Sequence, residues 1–131
     1  MENKPYYEKT IKGNIEDVEL LLSKKLKEAG FGVLVNLDIQ ETLKEKLEVN
    51  DFYPYKILGV CNPKLAYSAL SKNRYVGLLL PCNMVLFMKE PGETTIALLS
   101  PTKALGLLRD PSLTEVGEEA ERLLINVLEA I

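Results

Sequence analysis

The sequence predicts an α+β fold, a two-layer sandwich in which helices cover one face of a mixed, mostly antiparallel sheet. Short β-prone segments alternate with amphipathic helical segments along most of the chain, and the last segment is a long amphipathic helix. A turn at Pro91-Gly92 between two apolar segments predicts a β-hairpin. The predicted order of elements is therefore β-α-β-α-β-α-β-β-β-α.

The first half of the chain contains three predicted strands, each followed by a predicted helix. The strands are expected at residues 6–11, 31–37 and 55–60. Each strand is followed by a residue that can cap a helix, namely Asn14, Asp38 or Asn62. Pro63 comes directly after Asn62, and a cap followed by proline is a strong signal for the start of a helix.

The second half contains three more predicted strands and the terminal helix. Apolar segments at residues 76–80 and 84–88 are predicted strands separated by Pro81-Cys82-Asn83. Residues 94–99 should pair with the second of these segments to complete the hairpin. Ser100 precedes another proline and should start a short helix. A capping box that begins at Ser112 should start the last helix.

Composition limits the class of protein and its partners. The 131 residues show no linker, repeat or low-complexity segment, so one domain spanning residues 1–131 is predicted. The chain is 47% hydrophobic and 27% charged with a net charge of −3, which is typical of a soluble globular protein. The most basic cluster is Lys24-Lys25-x-Lys27 beside acidic residues, so no nucleic-acid partner is expected.

Neither a membrane span nor a secretory signal is predicted. The most apolar stretch, residues 76–88, is interrupted by Pro81 and Asn83 and is shorter than the roughly 20 residues that a spanning helix needs. Residues 1–5 lead into tyrosine and charge without an apolar core, so a cytoplasmic protein without a membrane partner is expected. A helix-free apolar sheet face must be covered, which predicts a homodimer.

Two cysteines mark the candidate site of the protein. The sequence has no histidine, which removes the usual general base and the commonest metal ligand. If the strands at 55–60 and 76–80 run parallel, Cys61 and Cys82 follow their carboxyl ends at one edge of the sheet. The candidate ligand-binding or redox residues are Cys61, Asn62, Cys82 and Asn83. In the antiparallel arrangement of those two strands, the two sulfurs would be far apart.

A small anionic or thiol ligand is the partner that this predicted site favours. Cys61 precedes the start of a helix, where unpaired amides and the helix dipole stabilise a thiolate or a bound anion. Lys64 and Arg74 are the nearest cations in the sequence. No catalytic motif or cofactor signature is recognisable, and the absence of histidine excludes standard hydrolase mechanisms, so a binding role is favoured over an enzymatic one.

A structural interpretation of the same residues stays open. An intracellular cysteine beside apolar residues is often a small buried hydrophobe, and Asn62 is fully explained as a helix cap. The abundance of Lys and Glu and the scarcity of Gln, Met and His are typical of thermophile proteins, in which intracellular disulfides occur. A Cys61–Cys82 staple in a structural or interaction module is therefore the alternative function.

A metal site is not predicted. Cys82, Met84 and Met88 would project from one face of a strand, and their sulfur ligands suit Cu(I). However, Leu86 shares that face, and methionine on a strand is usually part of the core. With two cysteines and no histidine, a four-ligand zinc site would need carboxylates or a second subunit. We therefore expect neither a bound metal nor another cofactor.

The order of several motifs resembles a known family. These motifs are Gly30-Phe31-Gly32-Val33-Leu34, Thr42-Leu43-Lys44-Glu45-Lys46-Leu47, Ile57-Leu58-Gly59-Val60-Cys61-Asn62-Pro63 and Gly77-Leu78-Leu79-Leu80-Pro81-Cys82-Asn83. Together they resemble the family called domain of unknown function 302 over nearly the whole chain. The resemblance implies a compact α+β domain similar to solved examples that pair as dimers, and it implies no settled activity. Ser100 stands where the family pattern has an acidic residue before proline, so no carboxylate role is carried over there.

Overall fold

The chain folds into a five-stranded sheet with helices packed on one of its faces. The computed structural model describes residues 3–131, so Met1 and Glu2 of the segment tested for a secretory signal lie outside it. The strands are Tyr6–Lys12 (β1), Gly32–Asp38 (β2), Tyr55–Cys61 (β3), Cys82–Phe87 (β4) and Glu93–Leu99 (β5). The helices are Ile15–Glu28 (α1), Ile39–Leu47 (α2), Pro63–Lys72 (α3), Pro101–Gly106 (α4) and Thr114–Glu129 (α5).

The spatial order of the strands is β1-β5-β4-β3-β2, and every neighbouring pair is antiparallel. The predicted α+β class is confirmed, and the sheet contains antiparallel pairs throughout where a mixed sheet was expected. The hairpin around Pro91-Gly92 is confirmed as β4 and β5. This topology matters for the site because it joins the end of β3 to the beginning of β4.

The prediction of a strand at residues 76–80 was wrong. These residues belong mainly to a 3-10 helix, Arg74–Leu79, which precedes β4. The side chain of Asn73 accepts a hydrogen bond from the Tyr75 amide and so starts this helix. Val76 is fully buried and Leu78 is largely exposed, so this continuous apolar run is a helical turn with one side packed in the core. An apolar run without alternation does not distinguish such a turn from a buried strand.

Four predicted helix caps are confirmed by hydrogen bonds from backbone amides to side-chain oxygens. The capping residues are Asn14, Asp38, Asn62 and Ser100. The start of the last helix was predicted wrongly. Asp110, and not Ser112, caps a 3-10 turn at Pro111–Leu113 that leads directly into α5, because Asp110 Oδ1 accepts a hydrogen bond from the Ser112 amide.

The main core lies between the sheet and two long helices, α1 and α5. Alternate residues of β3, β4 and β5 face these helices and are fully buried: Leu58, Val60, Met84, Leu86, Ile96 and Leu98. A smaller core contains Ala69 of α3, Val76 of the 3-10 helix, and Leu113 and Val116 near the start of α5. The candidate site lies where α3, the 3-10 helix and α4 meet the ends of β3 and β4.

The opposite face of the sheet carries apolar side chains that remain partly or largely exposed among residues 3–131. By strand alternation and register, this face includes Val35, Leu37, Ile57, Val85, Phe87, Ala97 and Leu99, all of which are partly or largely exposed. We call this set of residues the open face. The rings of Tyr55 and Phe87 stack there, with their centroids 5.6 Å apart.

Candidate functional site

The two cysteines lie at the same end of neighbouring strands. Cys61 is the last residue of β3, and Cys82 is the first residue of β4, where it pairs with Val60. The sequence predicted this proximity from parallel strands with both cysteines at carboxyl ends. The strands β3 and β4 are in fact antiparallel. The two cysteines are still neighbours, because Cys61 ends β3 and Cys82 begins β4. The predicted proximity therefore occurs, but for a different reason.

The two cysteines and the first residues of α3 border one apolar pocket. Its walls come from β3, β4, α3, the 3-10 helix, α4 and α5, and they include Cys61, Asn62, Leu65, Leu80, Cys82 and Leu105. The cavity has a volume of about 40 Å³. Cys61, Asn62 and Cys82 therefore border a small space whose other walls are mainly aliphatic.

Asn62 is held in place by two elements. Its Oδ1 atom accepts hydrogen bonds from the Lys64 amide at 3.1 Å and the Leu65 amide at 3.3 Å. A Cβ atom at Gly30, which has a φ of +88°, would lie 3.2 Å from Asn62 Nδ2. The cap of α3 is thus packed against the end of α1. The amides at the start of α3 were expected from the sequence to stabilise a thiolate or a bound anion. Two of them, those of Lys64 and Leu65, already donate hydrogen bonds to Asn62.

Asn83 does not join the other three predicted site residues. It pairs with Gly59 across β3 and β4, and it borders an exposed groove on the open face together with Val85 and Phe87. Strand alternation explains the separation, because Cys82 faces the helices and the next residue faces the opposite side. The structure therefore brings Cys61, Asn62 and Cys82 together and places Asn83 on the other face.

Burial keeps the Cys82 thiol protonated near neutral pH. Loss of solvent, together with a smaller effect of the nearby Cys61, raises the pKa of Cys82 to about 11. Both cysteines are free thiols. A protonated thiol is a weak nucleophile and a small, soft, nearly apolar group. Cys82 is therefore suited to contact a neutral ligand rather than to attack an electrophile.

The remaining charged and sulfur-containing candidates lie away from the pocket lining. Lys64 and Arg74 are exposed to solvent. Met84 is fully buried in the main core, and Met88 packs against that core. Within residues 3–131, no cluster of three or more potential His, Cys, Asp or Glu ligands could hold a metal ion.

Sequence reasoning missed a carboxylate that joins three elements. Glu121 of α5 accepts hydrogen bonds from Tyr7 Oη and Ser100 Oγ, both at 2.6 Å, and from Thr102 Oγ1 at 2.7 Å. Burial raises the pKa of Glu121, but these hydrogen bonds outweigh burial and lower it to about 2. The sequence carried no signal for this role, because Glu121 lies in an amphipathic helix among other acidic residues.

The fold and pocket define a small α+β domain with a pocket bordered by two cysteines. The model of the family described as domain of unknown function DUF302 matches residues 7–131. The chain therefore belongs to this family, as its motifs indicated.

A solved relative supports the same assignment. The crystal structure of an uncharacterized conserved DUF302 protein from Bacillus stearothermophilus is 35% identical in sequence to this chain. The match has a TM-score of 0.88 and covers 97% of this chain and 98% of that protein. A search of curated proteins found no match. Family membership thus establishes the fold, and the function must be argued from the residues of the pocket.

Proposed function

We propose that the protein binds a small uncharged ligand, with a neutral thiol or other neutral sulfur species as the favoured class, in the pocket beside Cys61 and Cys82. The observation that carries this proposal is that two cysteines border one apolar pocket and that burial keeps the thiol of Cys82 protonated. Soft sulfur groups and aliphatic side chains favour a polarizable ligand over a strongly hydrated one.

The size and polarity of the pocket narrow the ligand class. A volume of about 40 Å³ admits only a few water-sized groups, so a ligand of a few heavy atoms fits better than a nucleotide-sized one. An anionic ligand would lose its hydration against aliphatic walls without a cation among the lining residues. These considerations favour the neutral thiol over the anionic alternative expected from the sequence.

Binding of ethanethiol, compared with ethanol as its sulfur-free counterpart, tests this proposal. We expect ethanethiol to shift amide signals of residues 60–66 and 80–82 in two-dimensional NMR spectra, and ethanol at equal concentration to shift them far less. Ala66→Leu should abolish the shifts because Ala66 lines the pocket. Tyr67→Leu is the matched control, because Tyr67 lies on the same helix and is exposed. Equal shifts from both compounds, or shifts that persist in Ala66→Leu, would contradict the proposal.

The structural alternative makes a different prediction for the cysteines. If Cys61 and Cys82 act as core packing or as an oxidised staple, replacing both with alanine lowers stability and removes no ligand. Intact mass under non-reducing conditions would then show a loss of two hydrogens in the stapled form. A reducing compartment such as the cytoplasm would keep the thiols free, as the proposed ligand site requires.

We also propose a homodimer formed through the open face, because this surface is a specific observation that favours an interaction role. Val35 and Leu37 of β2 and Leu99 of β5 are exposed at opposite sides of the sheet, with Val85 and Phe87 between them. A face of this composition is more apolar than an ordinary solvated sheet face. A second copy would cover the same residues on both chains.

Sedimentation equilibrium of a charged variant tests the dimer. We expect the wild type to sediment as a dimer, and Leu37→Lys combined with Leu99→Lys to sediment as a folded monomer. Leu20→Lys is the matched control, since Leu20 is exposed on α1 away from the open face. A monomeric wild type, or a double variant that stays dimeric, would exclude this interface.

A further inference from the structure

The surface above the pocket combines basic charge with exposed apolar side chains. No acidic residue occurs between Phe52 and Lys89, nor from Thr94 to Arg109, although the whole chain has 19 acidic and 16 basic residues. These two stretches contain α3, the 3-10 helix and α4, and the 3-10 helix contacts both α3 and α4. The tertiary structure thus brings together two segments of the chain whose ionisable charges are all basic.

Large apolar and aromatic side chains are exposed on the same elements. The exposed fractions are 78% for Tyr67 on α3, 69% for Tyr75 and 79% for Leu78 on the 3-10 helix, and 73% for Leu107 at the end of α4. Lys64 and Arg74 are exposed beside them in the chain. We call these residues the basic-apolar surface: Lys64, Tyr67, Arg74, Tyr75, Leu78 and Leu107.

Exposure alone does not distinguish this surface, because Leu20 on α1 is also 71% exposed. What differs is the charge around the exposed side chains. Leu20 lies among Glu16, Asp17 and Glu19 on α1, a helix that also carries three lysines, whereas the basic-apolar surface comes from segments without carboxylates of their own. Carboxylates from other segments border this surface: Asp110 accepts a hydrogen bond from Asn73 at the start of the 3-10 helix, and Glu115, Glu118 and Glu119 line a groove between α3 and α5.

We propose that the basic-apolar surface binds peripherally to an anionic lipid bilayer. Basic residues are attracted to the negative surface potential of such a bilayer, and exposed leucine and tyrosine side chains are accommodated at the boundary between headgroups and acyl chains. Side chains that stand this far into solvent would need matching cavities on a folded partner, whereas a fluid bilayer closes around them.

This proposal differs from membrane spanning. None of the helices within residues 3–131 is long and apolar enough to cross a membrane. The expectation of no membrane partner rested on the lack of a spanning segment, and peripheral binding needs none. The proposal also does not depend on the ligand of the cysteine pocket, because its residues are outside the pocket lining.

Flotation of the full chain with lipid vesicles tests the proposal. We expect binding to phosphatidylcholine vesicles that contain about 30% phosphatidylglycerol and at least a tenfold weaker binding to pure phosphatidylcholine. Arg74→Gln should weaken binding about fivefold, as expected for one basic residue near an anionic surface. Leu78→Ser combined with Leu107→Ser should weaken it by about tenfold or more, since both side chains would insert.

Leu20→Ser is the matched control and should bind like the wild type, because its exposed leucine lies next to Glu16, Asp17 and Glu19 on a helix of mixed charge. Thermal unfolding of each variant confirms that it is folded. The proposal is overturned if neither kind of vesicle is bound or if both are bound equally. It is also overturned if the Leu78→Ser/Leu107→Ser variant binds like the wild type, or if soluble polyglutamate is bound as tightly as the anionic vesicles, since charge alone or an acidic protein partner would then explain the surface.

Discussion

At the scale of single residues, burial and hydrogen bonding shift the pKa values of two side chains that look ordinary in the sequence, raising one and lowering the other. Cys82 is partly buried at the start of β4 and keeps its proton. Glu121 is surrounded by donors and keeps its charge. Both effects come from residues distant in the chain, so neither could be deduced from neighbouring residues.

The reactivity of Cys82 should follow its raised pKa. We expect the rate of alkylation of Cys82 by iodoacetamide, followed by peptide mass spectrometry, to be low at pH 7.5 and to keep rising toward a pH of about 11. The folded state holds this proton more tightly than the unfolded chain, whose thiol pKa is about 8.5. Stability from this group is therefore present below about pH 8.5 and is lost as pH rises toward the folded value. Rapid alkylation of Cys82 at pH 7.5 in the folded protein would contradict this prediction.

Replacement of Glu121 by glutamine should destabilise the fold by about 1–3 kcal/mol at pH 7, because several donors lose a charged acceptor. The folded pKa of Glu121 is depressed to about 2, below an ordinary carboxyl pKa of about 4.3. Its stabilising contribution is therefore present above about pH 4.3 and is lost as pH falls toward 2. Urea unfolding at several pH values measures this change.

The control for this measurement is Glu118→Gln, an exposed carboxylate on the same helix, which should change stability by less than about 0.5 kcal/mol. A difference between wild type and Glu121→Gln that stays constant from pH 7 to pH 2 would show that charge is not the cause.

At the scale of elements, helix starts were predicted well and the 3-10 helix was not. Capping depends on one side chain and the amides that follow it, so Asn14 and Asn62 could be identified from the sequence. The run at residues 76–80 is apolar on all sides, and its conformation was decided by packing of Val76 against α3 and α5. Local sequence had no means of distinguishing these outcomes.

Close packing of β3 gives a prediction at the same scale. A Cβ atom at Gly59 would lie 2.6 Å from Pro81 Cγ and 3.1 Å from Val35 Cβ. We expect Gly59→Ala to lower the free energy of unfolding by about 1–3 kcal/mol because the added methyl group overpacks the contact between strands. Gly77→Ala is the control, because among the described residues no heavy atom lies within 4 Å of the added carbon apart from those of its chain neighbours and of the nearby backbone of its own helix. Chemical denaturation of both variants tests this, and equal effects would refute the steric explanation.

At the scale of the whole molecule, the helices differ in how firmly they are attached to the core. α1 and α5 bury leucine and valine side chains in the main core. Within the described chain, α2 has no buried side chain, although Ile39, Leu43 and Leu47 recur at helical spacing. The helix is held by its cap and by contacts near β3.

Hydrogen exchange should reveal this difference. We expect amides of α2 to exchange about 100-fold or more faster than those of β4 and β5, because α2 can open without exposing the core. Exchange followed by NMR or mass spectrometry in dilute solution is the measurement. Protection of α2 equal to that of the central strands would show that another surface, such as a second copy, covers it.

The sequence by itself determined the α+β class, most helix starts and the hairpin, and it singled out Cys61, Asn62 and Cys82 as candidate residues, because these depend on local periodicity, caps and residue chemistry. Tertiary structure alone decided the antiparallel order of the strands, the position of Asn83 on the opposite face, the charge of Glu121 and the neutrality of Cys82. Each of these depends on which distant residues become neighbours and on how much solvent they exclude, and neither property is encoded within a short window of the chain.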